Sequence, residues 1–191
     1  MKIAILGAGH MGAWLVEEFN REHEVGVYDR DPEKMRYLFR VDRFEDMSEI
    51  EDFEPDLLIN AVDLPHTIQA FEEVIEYLPD ECIIADIASV KRGLEDFYKK
   101  KDQPFVSTHP IFGPTFANIR DLSNENAIII TESCEAGKEF FRTFFNNLGL
   151  NLYHYSFQEH DEKTAYSLGV PFSASLVFAA CMKETEAPGT T

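Results

Sequence analysis

Residues 3–12 read Ile3-Ala4-Ile5-Leu6-Gly7-Ala8-Gly9-His10-Met11-Gly12, and Ala13-Trp14-Leu15-Val16 follows directly. An apolar strand running into a Gly-x-Gly-x-x-Gly turn that opens a helix is the context in which this motif binds a dinucleotide. Gly7 permits the tight turn, Gly9 lets the backbone approach a pyrophosphate, and Gly12 lets the helix close onto the sheet. The helix start, including His10 and Met11, offers unpaired N–H groups to the diphosphate. A second strand, Glu24-Val25-Gly26-Val27-Tyr28, ends in Asp29, 22 residues after Gly7. A carboxylate there is placed to bond the adenosine ribose hydroxyls. Asp29 repels a 2′-phosphate and favours NAD, whereas the adjacent Arg30 would accept that phosphate, so NADP is disfavoured rather than excluded.

Working outward, strand-like and helical patterns alternate, which predicts a Rossmann-type, doubly wound α/β fold with a mainly parallel sheet. Asp31-Pro32 is a helix start. Leu57 to Val62, Cys82 to Asp86 and Phe105 to Thr108 read as buried strands. Helices are expected over about Thr67–Leu78, Val90–Lys101 and Ala136–Leu148. Residues 110 to 125 form a loop rich in Pro, Gly and Asn, and Ala127–Thr131 and Asn151–Tyr155 extend the sheet. From about Gln158 to Met182 the pattern is one long apolar helix. The expected division is a nucleotide-binding domain over 1–156 and, over 157–191, the first helix of an all-helical second domain. The stretch Glu186–Thr191 reads as a loop rather than a natural end.

The chain has 191 residues, is 45% hydrophobic, and carries 35 acidic against 17 basic residues for a formal charge of -18. That balance argues against nucleic acid as a partner. Cys82, Cys134 and Cys181 form neither a disulfide framework nor a metal-binding spacing, and no metal is expected. No signal peptide is evident and no apolar run of membrane-spanning length is read, so a cytoplasmic protein is expected.

Three loops at the carboxyl ends of strands are placed to meet a substrate. In Ala61-Val62-Asp63-Leu64-Pro65-His66-Thr67, the backbone of Ala61, Val62 and Asp63, with Thr67, is expected to line the ribose and nicotinamide. His66 reads foremost as an ordinary helix-start residue. In Asp86-Ile87-Ala88-Ser89-Val90-Lys91, Ser89 either caps a helix or bonds a substrate oxygen. Lys91 is either a surface residue or the positive charge for a substrate carboxylate. In Ser107 to Pro114, His109 at a strand end is suited to accept a hydroxyl proton, its ordinary pKa lying near neutrality.

The glycine motif, Asp86 to Lys91, His109-Pro110-Ile111-Phe112-Gly113-Pro114 and Glu159-His160-Asp161 occur in the order found in prephenate dehydrogenases, and the chain resembles that family over essentially its whole length. The resemblance implies NAD-dependent oxidative decarboxylation of prephenate to 4-hydroxyphenylpyruvate, on the route to tyrosine. By that analogy His109 deprotonates the ring hydroxyl, Ser89 orients it, and Lys91, Gly113 and His160 border the substrate. Glu159–Asp161 would begin a helical domain that forms a homodimer; an acid cluster at a helix start is the alternative reading. Two features depart from the family pattern. Phe172 stands about where a pocket histidine is usual, beside a helix-kinking Pro171. The rest of the helical domain, with its carboxylate-binding arginine, is absent from this sequence. Arogenate or another small hydroxy or imino acid as substrate, and an NAD-binding regulatory protein without catalysis, remain alternatives.

Overall fold

The computed structural model describes residues 1–113 and 122–185. Residues 114–121 of the 110–125 loop, Pro114 among them, and the Glu186–Thr191 stretch lie outside the described residues. One sheet of eight strands organises the rest, in the order β3-β2-β1-β4-β5-β6-β7-β8. Its strands are β1 (Lys2–Leu6), β2 (Glu24–Tyr28), β3 (Asp42–Arg43), β4 (Leu57–Asn60), β5 (Ile83–Asp86), β6 (Phe105–Ile111), β7 (Asn126–Ile130) and β8 (Asn151–Tyr155). Every pairing is parallel except β6 with β7. The order reverses direction between β1 and β4, which opens the crevice where doubly wound folds bind ligands.

The helices are α1 (His10–Phe19), α2 (Glu49–Phe53), α3 (Thr67–Val74), α4 (Leu94–Tyr98), α5 (Glu135–Asn147), α6 (Phe157–Thr164) and α7 (Val170–Thr185). The central strands are apolar on both faces because both are covered. On one face Ile3, Ile5 and Val106 meet Leu15, Phe19, Phe141 and Phe145 of α1 and α5. On the other, Leu6, Leu58 and Ile84 meet Phe71, Phe97 and Phe157 of α3, α4 and α6. Cys82 is buried among this second set, and burial pushes its thiol up to about 12, as befits a structural residue.

Several elements differ from their sequence reading. The helix start at Asp31-Pro32 is a single 3₁₀ turn, Pro32–Met35, with the Asp31 carboxylate accepting from the Glu33 N–H at 3.2 Å. The helix expected over Val90–Lys101 is only α4, because residues 87–92 are held irregular by burial of Lys91. Strand β6 runs three residues beyond Thr108 and includes His109 and Pro110. Phe105–Ser107 pair with β5, whereas Thr108–Ile111 pair with β7 alone. Pro110 is tolerated because the strand there has a partner on one side only.

The expected helix from Gln158 is present, but with a π-turn at Ala165–Gly169 just before Pro171. This is the form the disturbance takes, the Val170 N–H reaching back to the Ala165 carbonyl. The expectation that no run reaches membrane-spanning length is overturned. Helical residues Phe157–Glu184 contain a window of mean hydropathy 1.5 that is long and apolar enough to cross a membrane. Tyr, Ser and Pro break the run to the eye, while Ala, Val, Leu and Phe keep its average high. Phe157 and His160 are buried against the sheet, whereas Phe172 is 67% exposed and Leu176, Val177 and Phe178 are exposed too. The division expected after residue 156 falls at the head of α6, whose first turns pack on the sheet.

Candidate active site

The glycine turn is dictated by close approach. Gly7 has φ +91°, and a Cβ on Gly12 would lie 1.8 Å from the Gly7 carbonyl oxygen. Any side chain at residue 12 would therefore push α1 off the strand. Gly9 has only open space where its Cβ would project, and no side chain caps α1. The first N–H groups of α1 are left for an anion, as a bound diphosphate requires. Beside them lies a cleft of about 450 Å³ lined by Gly7, Gly9, Asp29, Arg30, Lys34, Ala61, Val62, Asp63 and His66, among others. Its shape and donors fit a dinucleotide. The Asp29 carboxylate accepts the Ala8 N–H at 2.7 Å and the Asp31 N–H at 2.9 Å, which fixes it at the cleft edge. Lys34, which the sequence reading missed, returns over Asp29 at 3.3 Å because of the Asp31-Pro32 turn.

A second cavity of about 470 Å³ continues past Ala61–Asp63. Met11, Leu64, Ser89, His109, Phe112 and Leu168 contribute to its walls. Phe112 meets Trp14 of α1 edge-on, with ring centroids 5.3 Å apart, so the segment after β6 is braced on the helix that starts the first cleft. Ser89 is half-buried in this cavity, five residues before α4, so it is no helix cap; Gly93 holds that place. His66 bonds Asp63 at 2.8 Å and lines the first cleft.

Five expected site residues take other positions. Lys91 is fully buried, its ammonium donating to the Asp86 carboxylate at 2.5 Å and to the Thr108 carbonyl at 2.7 Å. It is therefore withdrawn from any substrate carboxylate. Tyr98 donates to the other Asp86 oxygen at 2.8 Å. Thr67 is buried; its hydroxyl donates to the Asp63 carbonyl and its own carbonyl accepts from Asn60, so it shapes the loop and does not line the cleft. His160 is buried and lies behind His109 instead of in the cavity wall, and Gly113 is exposed past Phe112. His10 is exposed at the start of α1 and lines neither cavity.

His109 is 4% exposed on β6, its Nδ1 2.9 Å from His160 Nε2. His160 Nδ1 is in turn 2.9 Å from Asp161 Oδ1. Burial first, then the Lys91 charge and His160, bring the His109 pKa down to about 3, not the near-neutral value expected from sequence. The ring is neutral at neutral pH, and its lone pair is available.

The probable arogenate/prephenate dehydrogenase of Methanocaldococcus jannaschii is 25% identical over 136 residues, covering 68% of this chain and 30% of the relative. The T-protein of Enterobacter agglomerans is 26% identical over 148 residues, covering 73% of this chain and 37% of the relative. The chain thus spans less than half the length of these curated relatives. The crystal structure of Aquifex aeolicus prephenate dehydrogenase with hydroxyphenyl propionate and NAD+ superposes with a TM-score of 0.82 at 18% identity, over 98% of this chain and 71% of that one. Residues 16–151 match the model of the prephenate dehydrogenase nucleotide-binding domain, and the chain belongs to that family.

Proposed function

We propose that this chain supplies the cofactor cleft and the proton acceptor of an NAD-dependent dehydrogenase that converts prephenate to 4-hydroxyphenylpyruvate. The observation that carries the reading is the shared cavity: His109 and Ser89 face one space that opens from the dinucleotide cleft at Ala61–Asp63. A nicotinamide held along Ala61–Asp63 would supply the hydride acceptor for the ring carbon that bears the hydroxyl. His109 takes the hydroxyl proton as that carbon becomes a carbonyl, and Ser89 orients the same oxygen. The bond to the ring carboxylate then breaks, carbon dioxide leaves, and the electron pair aromatises the ring. The phenolic oxygen recovers the proton from His109. The burial that lowers the His109 pKa keeps the ring neutral, so its lone pair is free for that proton.

Asp29, fixed by two backbone N–H groups at the cleft edge, supports NAD over NADP, although Arg30 and Lys34 stand nearby. Asp29→Ser is expected to weaken NAD binding and narrow the NAD/NADP affinity ratio; an unchanged ratio in titrations would place the ribose contact elsewhere. Arogenate shares the reacting ring, and the Methanocaldococcus jannaschii relative is named a probable arogenate/prephenate dehydrogenase. A soluble, cytoplasmic homodimer, joined through a complete helical domain covering the apolar face of α7, is part of the same proposal. No nucleic acid or metal has a part in it.

The deciding experiment measures formation of reduced nicotinamide by this chain with NAD and prephenate, with arogenate and NADP in parallel. Substrate-dependent reduction supports the reading and selects the substrate. NAD binding without turnover on either acid would turn the reading toward a different substrate or a non-catalytic NAD-binding protein.

A further inference from the structure

We infer that His160 and Asp161 are positioning residues that fix the tautomer of His109, so that its Nε2 is the bare acceptor facing the reaction cavity. Asp161 Oδ1 can only accept, and it already takes the Lys91 backbone N–H at 2.9 Å. His160 Nδ1, at 2.9 Å from that oxygen, must carry a proton. A neutral imidazole has one N–H, so His160 Nε2 is a lone pair. His109 Nδ1, 2.9 Å away, must then donate to it. That places the only proton of a neutral His109 on Nδ1 and leaves Nε2 free.

The arrangement holds only while His160 is neutral; a His160 imidazolium would donate from both nitrogens and turn His109 around. Burial and the Lys91 charge oppose that cation, while Asp161 and, more distantly, Asp86 favour it; the balance lowers the His160 pKa. The Tyr98 hydroxyl and the Lys91 ammonium are both engaged by Asp86, which holds the Lys91 charge in place.

The local sequence gives the relay its rigidity. A capping box fixes the first turn of α6: the Glu159 N–H donates to Ser156 Oγ at 3.1 Å, and the Ser156 N–H to Glu159 Oε2 at 2.9 Å. The Lys91 N–H ties the loop bearing Ser89 to the same Asp161. Adjacent residues on a helix normally diverge by about 100°, so His160 and Asp161 bonding to one another serves the relay and not helix stability.

The inference rests on His109 being the proton acceptor, but its test does not need turnover. Long-range proton–nitrogen spectra of the chain labelled with ¹⁵N-histidine, with His109 assigned through His109→Asn, read the tautomer directly. The wild-type chain at pH 7 is expected to show His109 protonated on Nδ1 and bare on Nε2. Asp161→Leu removes the oxygen that holds the His160 proton on Nδ1, so the relay loses its direction and the His109 proton spreads to Nε2. In a prephenate assay the same variant should lose at least about tenfold in kcat while KM and NAD affinity stay within about twofold. A wild-type His109 protonated on Nε2 overturns the inference, as does a folded Asp161→Leu chain with an unmoved tautomer. If that variant does not fold, the wild-type spectrum still decides. Absence of turnover in the wild type counts against the proposed reaction and leaves the tautomer result intact.

Discussion

His109 shows what a single residue owes to its surroundings. Its identity and place at the end of a strand were legible from Thr108-His109-Pro110, and Ser89 from Asp86-Ile87-Ala88-Ser89. Its pKa was not, because it is lowered first by burial and then by Lys91 and His160, which the fold brings in from 18 and 51 residues away. Lys91 was misread for the same reason: nothing local shows that an ammonium in a polar-looking loop is folded inward onto Asp86. If His109 holds the hydroxyl proton, His109→Asn should lower turnover by about a hundredfold or more. NAD affinity should be nearly unchanged, since the nucleotide cleft draws nothing from β6. Parallel loss of NAD binding in calorimetry would make the residue structural.

At the scale of elements, strands β1, β2, β4 and β5 were readable because buried parallel strands are short apolar runs bounded by turns. The two-residue β3 carries no such signal. β6 was read short because a histidine and a proline look like loop, and only pairing with β7 extends it. The segment after β5 was read as helix, whereas the buried Lys91–Asp86 pair determines its path. Lys91→Met would leave the Asp86 carboxylate without its cation inside the protein, at a cost of about 3–5 kcal/mol. Urea unfolding checks this; a loss under about 1 kcal/mol would mean that water or a neighbouring group already satisfies Asp86.

Across the whole molecule, stability is tied to pH through the same histidines. His109 has an ordinary pKa of 6.5 in the unfolded chain and about 3 in the folded one, and His160 shifts in the same direction. Between those values the unfolded state binds more protons, so stability is complete above about pH 6.5 and falls as pH drops toward 3. Each such histidine contributes a slope of at most about 1.4 kcal/mol per pH unit. His109→Asn should therefore flatten the acid decline relative to wild type in urea titrations at stepped pH. Equal slopes would mean that the ring already protonates in the folded state. Phe172, Leu176 and Phe178 of α7 are exposed, and the membrane-like hydropathy of this helix escaped the sequence reading, since small residues and a proline disguise it.

The overhang of β6 past β5 has a mechanical consequence. His109 rides on a cantilever: four residues project beyond the parallel part of the sheet and are held from one side, by a β7 that runs the other way. The strands that grip the nucleotide lie on the far side of β5 and bear none of that load. On the proposed reading, gripping and deprotonating are separate structural tasks. A change at Leu168, beyond the sheet, would then alter which acid is admitted without disturbing either the grip or the beam. One sheet would in this way serve a succession of substrates whose common requirement is a hydroxyl held beneath the same ring nitrogen.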